Sequence, residues 1–316
     1  MEIKLEGQTE WGWKIAAYLF LAGVGAGAYA VGIFANFTGW TLASKIGIFL
    51  GFPLLFIGTF FLIADLGVKP RALRAFMNPK TSWIARGTFI ISIFMILGAI
   101  HTGTLIWPFQ WLKQLTGIHL AISIVNFVFA ILTMIYTGIL LGASRPIALW
   151  STAMLPLLFL VSGLSTGALS IIFFLSMFGF SGGNGLGWQI FQLAKLDILL
   201  IFIEFIVIFF YIQATHRTEE SRASASLMIK EKFAPMFWIG IILIGMAIPL
   251  VIELIEISVL KEALEIYSSI AGVFASLCGL SGGYLLRYII LACGVRTPLR
   301  AAGIEFTFSS SSIPRT

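Results

Sequence analysis

Eight apolar runs, each about 20 residues or longer, recur along this chain, and that length is what a helix needs to cross a bilayer. They lie at roughly 13–37, 44–66, 86–108, 117–141, 149–179, 190–215, 233–256 and 266–292. Lipid offers no partner to an unpaired backbone N–H or C=O, so such runs are expected to be helical. The fold class expected is an all-α integral membrane protein with eight transmembrane helices. The fifth run is long enough to tilt or to extend past the bilayer. Composition agrees, because only 11% of the 316 residues are charged, against about 25% in soluble domains. No stretch between the runs is large enough for a soluble domain. The N-terminus is mixed in charge and the first run outlasts a signal-peptide core, so no cleavable signal is expected.

The basic residues sort by side. Counting alternate connections, sixteen of the twenty fall on one side of the membrane. They are Lys4 and Lys14, then Lys69, Arg71, Arg74, Lys80 and Arg86, then Arg145. Arg217, Arg222, Lys230 and Lys232 follow, with Arg287, Arg296, Arg300 and Arg315 near the C-terminus. Lys45, Lys113, Lys195 and Lys261 fall on the other. The positive-inside rule then puts both termini in the cytoplasm of a prokaryotic cell, with the chain multi-pass in its inner membrane. The net charge of +6 reflects this orientation signal, not nucleic-acid binding.

Metal chemistry within the chain has few ligands to draw on. Cys278 and Cys293 form no CxxC cluster, so no iron–sulfur or zinc site built by this chain alone is expected. Of the three histidines, His216 lies in a charged connection. Only His101 and His119 could form a bis-histidine haem pair, and a haem-free chain is expected.

Ionisable groups inside a membrane are costly and each is a functional candidate. Asp65 closes the second run beside a basic connection. It is either a boundary carboxylate paired with Lys69, Arg71 or Arg86, or a proton acceptor for a redox carrier. His101 is either a satisfied polar group or a proton relay, whereas His119 reads as structural. Asp197 and Glu204 share a helical face at i, i+7 and offer either a proton path or a helix–helix hydrogen bond. Glu253 and Glu256 are expected at the interface. Gly23 and Gly27, Gly163 and Gly167, and Gly279 and Gly283 are each spaced as GxxxG, the spacing of close helix crossings. Trp11, Trp13, Lys14 and Tyr18 open the first run and Tyr136 closes the fourth. Such residues form interfacial belts and also supply donors suited to a quinone carbonyl.

Three segments together resemble the NrfD/PsrC family of polysulfide-reductase-type membrane subunits. They are "WGWKIAAYLFLAGVGAGAYAVG" (11–32), "DLGVKPR" (65–71) with the following Pro79, Ser82 and Arg86-Gly87, and "YTGILLGASRPIALWSTAMLPLLFLVSGLSTGALS" (136–170). The resemblance is strongest over the first half of the chain. It implies two four-helix bundles: 1–145, binding a menaquinone-type or other quinone, and 146–316, ending in a cytoplasmic tail. It also implies a ferredoxin-like four-cluster iron–sulfur subunit and a molybdopterin catalytic subunit as partners, which would carry the clusters and the pterin. Asp65 matches the family's signature aspartate, and Tyr136 matches a tyrosine associated with the quinone pocket. Some members carry an Asn/His pair where this chain has Lys14 and Tyr18, both still able to donate.

The quinone head is therefore expected among Lys14, Tyr18, Asp65 and Tyr136, with Arg86 tuning Asp65, on the cytoplasmic side. His101, Asp197 and Glu204 are the proton-relay candidates. The alternative is a secondary transporter or ion channel with Glu204 and Asp197 as coupling sites. That class calls for broken helices in matching positions of two halves, and no clear inverted repeat is evident.

Overall fold

The computed structural model describes residue 8 and residues 11–65, 82–106, 108–143, 147–179, 186–215, 218–259, 265–295, 299–301 and 304–306. Lys4, Lys69, Arg71, Arg74, Lys80, Arg145, His216, Arg217, Lys261, Arg296 and Arg315 lie outside them. Long helices account for nearly all of the described chain: α1 Trp13–Phe37, α2 Thr41–Asp65, α3 Trp83–Leu105, α4 Thr116–Gly142, α5 Met154–Gly179 and α6 Leu186–Ala214. The amphiphilic α7 Glu219–Ile229 follows. A π-helical stretch Met236–Ala247 then runs into α8 Ile248–Val259, and α9 is Glu265–Ala292. Among the described residues seven helices are long and apolar enough to cross a membrane; α6, with Lys195, Asp197 and Glu204, is not among those seven.

The helix ends follow local chemistry. Thr38 and Gly39 close α1, with Gly39 at φ 83° and Trp40 N–H returning to the Ala35 carbonyl at 2.8 Å. This left-handed stop is readily adopted by glycine. Ser82 begins α3 and accepts a bond from Ala85 N–H at 3.4 Å.

The fifth run is not one long helix. A 3₁₀ turn Ala148–Trp150 precedes α5, which starts at Met154. Pro156 then falls in the first turn of α5, where no N–H is required. The connection 216–232, expected to be irregular, contains α7, capped by Thr218 accepting from Ser221 N–H at 3.2 Å. The seventh run is π-helical up to Ala247, and Pro249 follows at once. Proline cannot donate to the carbonyl four residues back, and a widened turn before it relieves that loss. The described chain is all-helical, as expected, apart from a short antiparallel pair at its C-terminal end, Leu299–Ala301 with Ile304–Phe306.

Helices α1 and α5 are the most buried spans. Helix α1 packs on α2, α4, α5 and α9, and α5 packs on α1, α4, α6 and α9. Small residues make this possible. A Cβ on Gly27 would fall on the Gly163 carbonyl, and one on Gly167 would fall on Gly27. At this crossing of α1 and α5 the backbones meet with no side chain between them. Gly279, by contrast, faces Leu169 and Pro249, while Gly283 faces Thr166, Arg287 and Phe20. Large apolar side chains such as Phe56, Phe60, Phe202, Phe205 and Phe209 point outward, as lipid-facing positions would.

Candidate functional site

Two polar regions and one linking cluster stand out from the apolar background. The first region lies where α1 begins and α2 ends. Lys14 and Tyr18, four residues apart on α1, share a face. Lys14 Nζ lies 3.9 Å from Asp65 Oδ1, with side chains 40% and 27% exposed. Trp13 packs edge-to-face on Phe61 of α2, ring centroids 6.0 Å apart, and fixes the two helix ends together. Tyr18 and Tyr136 are buried and are electrostatic neighbours. The Tyr136 ring occupies the space that a side chain on Gly87 would need, so glycine at the start of α3 admits the phenol. Neither phenol donates a hydrogen bond to a described residue. Arg86 stacks its guanidinium over Trp83 at 4.6 Å. The carboxylate that sequence alone pairs with Lys69, Arg71 or Arg86 thus has Lys14 as its partner, while Lys69 and Arg71 lie outside the described residues.

At the far end of α1 and α3 is a tight cluster. The Tyr29 hydroxyl meets His101 Nδ1 at 2.6 Å, joining α1 to α3. Asn126 of α4 turns its amide oxygen to Gly98 N–H (3.2 Å) and the Tyr29 hydroxyl (3.3 Å), and its nitrogen to the Phe94 carbonyl (3.2 Å). His101 thus bonds a neighbouring helix through Nδ1. The His119 ring stands edge-on to it with centroids 4.9 Å apart, and its buried Nε2 has no partner. Among the described residues no group of three or more His, Cys, Asp or Glu side chains could hold a metal ion.

The second region lies in the other half of the chain. Ser165 of α5 donates to Asp197 Oδ1 at 2.7 Å, and Asp197 is in hydrogen-bonding reach of Glu253 on α8. Glu256 adjoins Glu253. One turn along α5, Ser162 reaches Glu204 and accepts from Arg287 Nη1 at 3.1 Å. Arg287 is wholly buried, donates also to the Gly283 carbonyl at 2.7 Å, and lies against the Phe20 and Phe159 rings. Two expectations fail here. Glu253 and Glu256, expected as exposed interfacial groups, are turned into the protein and are 2% and 9% exposed. Arg287, counted with the cytoplasmic charges, is inside the helix bundle. The missed signal for both was spacing: Glu253 and Glu256 (i, i+3), like Gly283 and Arg287 (i, i+4), share a face with the helix's small or inward residues.

With this geometry in view, comparison with known proteins decides the family. Residues 2–298 match the family described as polysulphide reductase, NrfD. The chain belongs to the NrfD family. A polysulfide reductase component of Wolinella succinogenes is 30% identical over 90% of this chain and 94% of that protein. Protein NrfD of Escherichia coli is 26% identical over 91% and 95%. A selenate reductase component of Mesobacillus selenatarsenatis is 24% identical over 98% of this chain and 79% of its own length. This NrfD-family chain is a multi-pass membrane protein, and these relatives point to a membrane subunit of a reductase complex.

Proposed function

We propose that the chain is the quinone-reactive membrane subunit of a respiratory oxidoreductase, passing electrons between a menaquinone-type quinone and an iron–sulfur subunit. The observation that carries this reading is the Lys14–Asp65 pair at the rim of the Tyr18–Tyr136 phenols. A quinone supplies two-electron, two-proton chemistry when bound, and it needs donors at its oxygens and a proton exchanger nearby. The residues present fit that need. Two phenols without an outgoing bond to described residues lie in a dry site, and a charged pair stands at its wet edge. Lys14 and Tyr18 would donate to one ligand oxygen, and Tyr136, fixed over Gly87, would donate to the ligand as well. Asp65 takes up or yields a proton at Oδ1, where water can reach it. Arg86 holds positive charge at the start of α3 and tunes Asp65.

The chain itself carries no haem in this reading. The clusters belong to a ferredoxin-like four-cluster partner, and the catalytic pterin to a molybdopterin subunit. Residues 1–145 form the quinone-binding bundle and 146–316 the second bundle, with α6 as the eighth span. Both termini, and the quinone site with them, face the cytoplasm, on the strength of the basic bias. His101, Asp197 and Glu204 are relay positions away from the quinone.

The test is Asp65→Asn in the assembled complex. Quinone-linked turnover should fall by about a hundredfold or more, the contribution of a positioned proton-transfer group, with assembly intact. Unchanged turnover would remove Asp65 from the mechanism.

A further inference from the structure

Carboxyl groups buried in a membrane ordinarily have a donor for each oxygen, and here several do not. Asp197 Oδ2, both oxygens of Glu253 and Oε1 of Glu256 are buried without a hydrogen-bond partner among the described residues. Asp197 and Glu253 nevertheless face each other within hydrogen-bonding reach, from α6 and α8. Two facing carboxyl groups have no hydrogen between them unless one holds a proton, and a proton there would convert the contact into a hydrogen bond. Arg287 presents the complementary defect: Nε and Nη2 are buried and unpartnered, while Nη1 reaches Ser162, which also serves Glu204.

The residues are ordered along the bundle. Glu256 lies near the end of α8, and Glu253 one turn further in along it. Asp197 meets Glu253 across the helix contact. Glu204 lies seven residues from Asp197 on the same face of α6, about 10 Å along the axis. Two α5 hydroxyls one turn apart stand within that interval, Ser165 on Asp197 and Ser162 on Glu204. Each hydroxyl can accept a proton on one lone pair as it releases its own. Arg287 ends the series, and its Nη2 lies against Gly23 of α1, where a Cβ would come within 2.7 Å. Gly23 is five residues from Tyr18, so the second region touches the helix that carries the first.

We propose that Glu256, Glu253, Asp197 and Glu204, bridged by Ser165 and Ser162, form a proton-conducting track through the second half of the chain, closed at its inner end by Arg287. A proton enters at Glu256 from water, moves to Glu253, is shared with Asp197, and passes toward Glu204. Arg287, held on the same Ser162 hydroxyl that serves Glu204, stands as the positive charge that holds the proton back. A displacement of Arg287 from Ser162 would let Glu204 accept it. Each transfer moves one proton between oxygens and changes no oxidation state. That this flux is driven by quinone turnover rests on the function proposed above; the track itself does not.

Infrared spectroscopy of the purified complex in lipid vesicles tests the track with no redox substrate present. The wild type should show a carboxylic-acid C=O band that shifts when water is exchanged for D2O. Glu253→Gln should remove or displace this band, and Glu256→Gln should slow its exchange by about tenfold or more, as expected for loss of a positioned proton carrier. A band unaffected by Glu253→Gln, or exchange unaffected by Glu256→Gln, overturns the proposal. If Glu253→Gln does not assemble, the Glu256→Gln exchange rate alone decides. In sealed vesicles, Glu253→Gln should also lower protons moved per electron while uncoupled turnover stays within about twofold of wild type. If the wild type shows no quinone turnover, the quinone reading fails, and the infrared result stands separately.

Discussion

Two cation–acid couplings, Lys14 with Asp65 directly and Arg287 with Glu204 through the Ser162 hydroxyl, use similar groups in opposite surroundings. The first is long, at 3.9 Å, and half open to solvent. Such pairs contribute only about 0–1 kcal/mol, so a ligand can claim either partner at little cost. The second is wholly enclosed, bridged by Ser162, and flanked by the rings of Phe20 and Phe159. Removing one partner from a buried pair strands the other charge, and that is where the large energies lie. On the proposed function, the open pair exchanges ligands and the enclosed one holds its arrangement until something displaces it.

The largest expected effect comes from breaking the enclosed pair. Arg287→Met should destabilise the protein by about 3–5 kcal/mol, because Glu204 is left buried without its counter-charge. Adding Glu204→Gln should recover most of that loss. Unfolding of the single and double variants in detergent, compared with wild type, measures both. Equal losses in the two would mean that Arg287 acts only through its contacts with Gly283, Phe20 and Phe159.

A smaller effect tests whether the two regions depend on one shared crossing. Gly27→Ala places a methyl on the Gly163 carbonyl, and only backbone movement of α1 against α5 can relieve it. Overpacking of this kind costs about 1–3 kcal/mol. Gly117→Ala, where nothing lies within 4 Å of the added carbon, should leave the same unfolding transition in place. If both substitutions behave alike, the close contact of α1 with α5 is not what holds the halves together.

How far these features were legible in the chain depends on the kind of signal each one leaves. Long apolar runs announce helices because the bilayer permits little else, and the Gly27–Gly167 crossing follows from spacing. Asp65 and Tyr136 stood out because a charged or phenolic group at a run's end is unusual in its surroundings. Arg287 did not, because an arginine five residues from a helix end looks like an interfacial charge until Gly23 and Gly283 are seen to make room for it. Glu253 and Glu256 were misplaced for a related reason. Hydropathy reports depth along a helix and says nothing of which face turns inward. Helix α7 carried a readable start, Thr218 followed by Glu219 and Glu220, masked by the charge of the surrounding connection. The pairing of Lys14 with Asp65 joins residues fifty-one positions apart, and only the packing of α1 on α2 brings it about.

The smallest structural effect should belong to the open pair, and there stability and function ought to separate. Lys14→Met keeps the length of the side chain and removes its charge, so unfolding should shift by no more than about 1 kcal/mol. Quinone-linked turnover should nevertheless fall, because the substituted side chain can neither donate to a ligand oxygen nor hold Asp65 in place. Comparing the unfolding midpoint with turnover at saturating and limiting quinone distinguishes two roles. A loss confined to limiting quinone assigns Lys14 to binding, whereas a loss at saturation assigns it to positioning Asp65 during proton exchange. If stability falls as much as in Arg287→Met, the Lys14–Asp65 pair is a structural clamp like the enclosed one, and the contrast between the two regions collapses.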